Sequence, residues 1–221
     1  MVTEGYRGRV APYVDRLATP FLSWSPNRLS GVALGLSALA GLLAVAARWT
    51  SPLLFLAVSL LIFFSGMFDV LDGAVARRTG RASVRGDFLD HVFDRYADLF
   101  IVLGLAFSSY AYPSLALLAL VSLLLTSYMG TQAQAVGAGR SYGGLLTRAD
   151  RLLALSLATF LEFDLSLPWP WAPSEPLSRI HAFGLTFTVI DLALVYFVIA
   201  GQWTALSRAW AVYRQLPERP A

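Results

Sequence analysis

The sequence predicts an all-α, polytopic membrane protein: six transmembrane helices preceded by an amphipathic helix lying at the interface. Three observations carry that prediction. Of the 221 residues, 57% are hydrophobic and only 14% are charged, whereas a soluble domain carries about 25% charged residues. Several stretches run uncharged for long enough to cross a bilayer, which takes about 20 apolar residues in a helix. The arginines gather in the segments that one membrane face would share.

The elements follow in order. Residues 1–24 lack the apolar core of a secretory leader, so none is expected there. Arg7, Arg9 and Arg16 alternate instead with Val10, Tyr13, Val14, Leu17 and Phe21, a spacing that suits a helix lying on an anionic surface. Ser25-Pro26-Asn27 breaks this segment and starts the first span. Ser30–Ala47 is 18 residues without a charge, and Trp49–Phe68 is 20. Leu99–Gly139 runs 41 uncharged residues and is broken at Tyr110-Ala111-Tyr112-Pro113, so it reads as two spans. Leu152–Leu161 is short. It becomes a span if its helix begins near Thr147 and passes Glu162 toward Trp169 and Trp171. Between His181 and Arg208 lie 26 residues with one charge, Asp191. The domain reading is therefore 1–24 juxtamembrane segment, 25–210 six-helix catalytic domain and 211–221 cytoplasmic tail.

With six spans, Arg7, Arg9, Arg16, Arg28, Arg77, Arg78, Arg81, Arg85, Arg140, Arg148, Arg151, Arg208, Arg214 and Arg219 share a face. Arg48 and Arg179 occupy the other. That asymmetry puts both termini in the cytoplasm. The net charge of +3 then points to lipid headgroups or phosphorylated substrates rather than nucleic acid. Cysteine is absent and every basic residue is arginine. Disulfides, thiolate chemistry, Schiff bases and a Walker lysine are excluded.

Six of the 14 acids fall within Asp69–Asp98: Asp69, Asp72, Asp87, Asp90, Asp94 and Asp98. They sit where the second span ends and the third begins. Acids beside long apolar runs are expensive and default to a functional reading. Asp69 and Asp72 are i and i+3, and Asp90 and Asp94 are i and i+4, so each pair shares a helix face. Four carboxylates aimed at one another repel unless cations join them. Oxygen-only ligands suit Mg²⁺, Mn²⁺ or Ca²⁺, and two such ions form a clamp for phosphoryl transfer. Taken as charges alone, the acids can instead pair with Arg77, Arg78, Arg81, Arg85 and Arg95 in a solvated loop. They also allow a divalent-cation channel or transporter.

The spelling of the segment decides among these. It reads Asp69-x2-Asp72-Gly73-x2-Ala76-Arg77-x8-Gly86-x3-Asp90-x3-Asp94. This resembles the signature of the CDP-alcohol phosphatidyltransferase family, D-x2-D-G-x2-A-R-x8-G-x3-D-x3-D, at every specified position. A cation path has no need of Gly73, Ala76, Arg77 or Gly86. The resemblance covers these 26 residues closely, and Pro26-Asn27 before the first span and the six-helix pattern extend it loosely. It implies transfer of a phosphatidyl-type group from a CDP-linked lipid to a small polar alcohol, with release of CMP. It implies that Asp69, Asp72 and Asp90 hold two Mg²⁺ (or Mn²⁺) ions, and that Asp94 is both close to the ions and the general base. Gly73, Ala76 and Gly86 leave room for the nucleotide beside Asp69, Asp72 and Asp90, and Arg77 offers a forked bond to the diphosphate. A homodimer is implied as well.

Other residues take plainer roles. Asp98 is expected to bridge Arg95, Asp87 to cap the third span, His91 to project away from the acids, His181 to lie on the surface and Asp191 to hydrogen-bond inside the bundle. For the acceptor, Arg148 and Arg151 are i and i+3 at the start of the fifth span. They resemble the arginine pair that holds the acceptor phosphate in members using inositol phosphate. Arg140 and Gln132 are further acceptor candidates. The same subgroup carries Y-x-(K/R)-x-R-A-E in its fourth helix. Here the run is Tyr128-Met129-Gly130-Thr131-Gln132-Ala133-Gln134-Ala135, with Gly130 and Gln132 at the basic positions and Trp203 at a helix-6 arginine. Glycerol phosphate, inositol phosphate and serine all stay open, with a phosphorylated polyol favoured by the arginines.

Overall fold

The computed structural model describes residues 11–139, 147–168, 176–182 and 184–216. Arg7, Arg9, Val10, Arg140, Trp169, Trp171 and Arg219 lie outside the described residues. The described chain is all-helical but for one small hairpin. Its main helices are α1 (Pro26–Ala46), α2 (Leu54–Arg78), α3 (Val84–Ala106), α4 (Pro113–Ala135), α5 (Arg148–Leu165) and α6 (Val189–Gln215). Strands β1 (Ile180–Ala182) and β2 (Leu185–Phe187) pair antiparallel before α6.

Local chemistry sets the boundaries. Pro26 and Pro113 open α1 and α4 at the first helical position, where the missing N–H costs nothing. Ser83, not Asp87, caps α3: its hydroxyl accepts from the Gly86 N–H. Asp87 lies one turn in, where its charge still complements the helix N-terminus. Thr147 with Asp150, and Thr188 with Asp191, form capping boxes on α5 and α6. Asp191 thus has the hydrogen-bonded role its position suggested, and it also accepts from the Tyr112 N–H at 2.8 Å. Helix α6 continues to Gln215, past the residue-210 boundary set from composition.

Helices α1, α2, α4 and α6 are long and apolar enough to cross a membrane. Helices α3 and α5 carry the charges that build the site together with Asp69 and Asp72 of α2. Helix α1 packs on α2 and α3, α4 on α6, and α2 on α5. Small residues bring backbones together. A Cβ on Gly41 would overlap the Phe100 carbonyl, and one on Gly104 would overlap the backbone of Gly41. Such contact is how helices gain van der Waals energy without a hydrophobic drive. The main core runs from Ala40 and Phe55 through Ile101 and Leu105 to Leu194 and Phe197. A second cluster joins Ala18, Leu29, Leu71, Ala74 and Val75. There the helical stretch 11–18 lies against α2, and Arg78 donates to Thr19 Oγ1 at 3.1 Å.

The end of α2 decides where the acids meet. Gly80 adopts φ +66°, with Arg81 N–H donating to Ala76 O and Gly80 N–H to Arg77 O. This Schellman pair stops the helix and turns the chain straight into α3. Two acid-bearing helix ends are thereby set side by side.

Candidate active site

One carboxylate oxygen from each of Asp69, Asp72 and Asp90 lies within 4.8 Å of the others. The i, i+3 pair of α2 therefore meets the first acid of α3, as the spacing predicted. Asp72 is buried, and its Oδ2 accepts from the hydroxyl of Ser30 on α1. Sequence reasoning missed Ser30. Its only signal was a polar residue at the start of an apolar span, and its partner lies 42 residues away.

Asp94 is buried one turn along α3 from Asp90. His91 stands in the same neighbourhood: its Nδ1 is 3.9 Å from Asp90 Oδ2, and it forms a close group with Asp90 and Asp94. The expectation that it projects away from the acids is corrected by that geometry. A side chain at the exposed rim of a helix can fold back over the preceding residue.

A cleft opens beside the acids. Its walls carry Asp72, Gly73, Ala76, Arg77, Gly86 and Asp90 from the signature. Pro26, Asn27 and Ser30 from α1, and Arg81, Ala82, Ser83 and Asp87 from the turn, complete it. The small residues have a visible purpose. A Cβ on Gly73 would lie 3.2 Å from Arg77 Nη1, and one on Gly86 would lie 3.2 Å from Ser83 Oγ and 3.7 Å from Asn27 Oδ1. Bare backbone at both positions leaves room in the cleft and lets Arg77 lie close against Gly73. Asn27 and Ser30 join the site only through helix packing, whereas Arg81 and Ser83 come with the turn between α2 and α3.

On the other side of the acids lie the arginines of α5. Arg148 Nη1 pairs with both Asp69 and Asp94. Arg151 Nη2 donates to Asp98 Oδ2 at 2.8 Å, and both are nearly fully buried. Arg95 lies 3.6 Å from Asp94 and 3.6 Å from Asp98. The Arg95–Asp98 bridge is thus present, but Arg151 makes the shorter contact. Sequence spacing put Arg148 and Arg151 on one face; packing adds that this face meets α2 and α3. Buried charges persist only when paired, and here acids from two helices supply the pairing. Gln132 is exposed near the end of α4. Arg140 lies outside the described residues.

The donor set is all oxygen, close-spaced and fed from two rigid helices. It fits hard divalent cations. His91 at the rim does not change that preference.

Comparison with known proteins agrees with this chemistry. Residues 24–213 match the pattern of the CDP-alcohol phosphatidyltransferase family. A phosphatidylinositol phosphate synthase of Cutibacterium acnes is 35% identical over 173 residues, covering 75% of this chain and 73% of the relative. An archaetidylinositol phosphate synthase of Methanothermobacter thermautotrophicus is 32% identical over 156 residues, covering 71% and 69%. The crystal structure of phosphatidylinositol phosphate synthase from Mycobacterium tuberculosis with CDP-DAG bound superposes with a TM-score of 0.72 at 21% identity, over 94% of this chain and 98% of that one. The same enzyme in complex with manganese and citrate gives 0.70 at 22% identity, over 90% and 88%. The two solved structures establish the shared fold. This multi-pass membrane chain belongs to the CDP-alcohol phosphatidyltransferase family, enzymes that move a phosphatidyl-type group from a CDP-linked lipid to an alcohol.

Proposed function

We propose that this enzyme joins a CDP-linked lipid to a phosphorylated polyol, inositol phosphate or glycerol phosphate, and releases CMP. The observation that carries the reading is the meeting of two opposite charge sets: Asp69, Asp72 and Asp90 beside an open cleft, and Arg148 and Arg151 behind them. The first set suits a diphosphate held through cations. The second suits an anionic acceptor. The names of the relatives support the same acceptor class.

In this reading Asp69, Asp72, Asp90 and Asp94 hold two Mg²⁺ or Mn²⁺ ions, which when bound neutralise the diphosphate and the departing CMP. Gly73, Ala76 and Gly86 admit the nucleotide, and Arg77 grips a phosphate. Ser30 fixes the Asp72 carboxylate in the orientation that faces the cleft. Arg148, Arg151, Arg140 and Gln132 hold the acceptor. Asp94 takes the proton from the acceptor hydroxyl, whose oxygen attacks the lipid-linked phosphorus. The bond from that phosphorus to the CMP oxygen breaks.

The membrane arrangement belongs to the same proposal. In this reading α1–α6 are six spans with both termini and the site in the cytoplasm, an orientation that the arginine asymmetry supports. The amphipathic juxtamembrane segment read over 1–24 lies at the interface, with Tyr13 and Leu17 exposed on its helical stretch 11–18, ahead of a catalytic domain over 25–210 and a tail over 211–221 that begins within α6. The chain works as a homodimer. Purified protein with CDP-diacylglycerol and a panel of inositol phosphate, glycerol phosphate and serine tests the function through CMP release. Release with a phosphorylated polyol is expected. Release with serine alone would overturn the acceptor class, and release with none would overturn the reaction.

A further inference from the structure

We propose that the juxtamembrane segment ending at Trp24 senses anionic lipid: its outer face binds a negatively charged bilayer surface, and its inner face passes that contact to the donor cleft. This rests on the reading that the cleft takes a CDP-linked lipid. Residues 11–18 are helical, and 19–21 add one tight turn. The two faces of this stretch differ. Val14, Ala18, Phe21 and Leu22 share one cluster with Leu29, Leu71, Ala74 and Val75. Tyr13, Arg16 and Leu17 stand at i, i+3 and i+4 on the opposite side. All three are exposed, Tyr13 by 66% and Leu17 by 55%.

The occupant of the outer face follows from where the segment ends. Trp24 is itself exposed, and two residues later Pro26 opens α1, a helix long and apolar enough to cross a membrane. A segment that runs straight into the end of a span lies at the level of the headgroups. Outward tyrosine and tryptophan suit that level. Arg16, with the exposed Arg28 at the start of α1, gives it the charge that anionic headgroups attract.

The inner face is fastened to the donor site. Leu71, Ala74 and Val75 alternate along α2 with Asp72, Gly73 and Ala76, so the segment braces the turns that carry the signature. Leu29 precedes Ser30, whose hydroxyl holds Asp72. Phe21 meets Phe68, the neighbour of Asp69 in the chain, edge-to-face at 5.7 Å. Two arginines tie down the backbone of the segment. Arg78, the last residue of α2, donates to the Asp15 carbonyl and to Thr19 Oγ1. Arg81, a wall of the cleft, donates to the Trp24 carbonyl at 3.4 Å. A surface that favours the docked segment therefore favours the placement of α2 that presents the cleft. Linkage makes the two binding events reinforce each other.

The chain has no cysteine, so Leu17→Cys gives a single site for an environment-sensitive dye. Dye emission is read in that background, and CMP release in the unlabelled protein, each also with Arg16→Gln or Arg78→Ala. Both are measured in vesicles of phosphatidylcholine alone and of phosphatidylcholine with phosphatidylglycerol. The mole fraction of CDP-diacylglycerol is varied alike in both, with inositol phosphate or glycerol phosphate as acceptor. The expected result in anionic vesicles is a blue-shifted dye and a KM for CDP-lipid lowered about five-fold or more, the scale of one arginine at a charged surface. The acceptor KM should hold. Arg16→Gln should lose both responses. Arg78→Ala should keep the dye shift and lose the KM response, because the face still binds while its tie to α2 is cut. CMP release with a KM that ignores surface charge, or that responds fully in Arg16→Gln or Arg78→Ala, overturns this inference and leaves the proposed function standing. A dye equally buried in both vesicles makes the segment a permanent anchor and overturns it. A dye that becomes buried in detergent as protein concentration rises puts a second copy on the face and overturns it as well. No CMP release in either vesicle overturns both readings.

Discussion

Asp98 is nearly fully buried on α3 and is shared by two arginines, Arg151 at 2.8 Å and Arg95 at 3.6 Å. Asp98→Asn preserves its shape and removes its charge. Arg95 retains Asp94 at 3.6 Å, but Arg151 is left as a buried cation facing an amide. Breaking one partner of a buried pair costs about 3–5 kcal/mol. For a chain of this size each kcal/mol moves the melting temperature by roughly 2–4 °C, so a fall of about 6–20 °C is expected. The assay is thermal unfolding of the detergent-solubilised protein. A control separates charge from packing: Asp98→Leu with Arg151→Met replaces both partners by apolar groups and should recover most of the loss, while acceptor binding stays impaired. A melting temperature within about 2 °C of wild type in Asp98→Asn, or a double variant as unstable as the single one, would refute the reasoning.

Ser30→Ala removes the hydroxyl that orients Asp72; the KM for CDP-lipid should rise about 10-fold, the scale of a hydrogen bond to a charged group, with the acceptor KM unchanged. Gly86→Leu puts a side chain where a Cβ already meets Ser83 at 3.2 Å; donor binding should fall sharply in a nucleotide titration while the protein stays folded. Asp94→Asn keeps size and loses basicity; turnover should drop roughly 100-fold or more, with CDP-lipid binding less affected than in Asp69→Asn.

The donor side of the site was legible because its chemistry is contiguous. Asp69 to Asp94 span one helix end, one turn and one helix start, and the spacing alone fixes which acids share a face. The turn that joins them, closed by Gly80, brings the faces together without help from elsewhere. The partners were not legible. Ser30 reaches Asp72, Arg151 reaches Asp98 and Arg208 reaches Thr126 across 42, 53 and 82 residues. Those meetings depend on how helices rotate against one another, which periodicity does not specify. The cap of α3 was misassigned to Asp87 because an acid near a helix start is a good cap by type. Ser83 stands at the residue where the backbone is still extended. The charge of α3 and α5 weakened their spans in the sequence for the same reason that it builds the site.

The most direct test of the central claim is CMP release from CDP-diacylglycerol and the preferred acceptor, after divalent ions are stripped by chelation and Mg²⁺ or Mn²⁺ is added back. The cluster of Asp69, Asp72 and Asp90 predicts no turnover in excess chelator, full recovery in the wild type on adding the ion, and no recovery in Asp69→Asn. Undiminished turnover in excess chelator, or normal recovery in Asp69→Asn, would contradict the account.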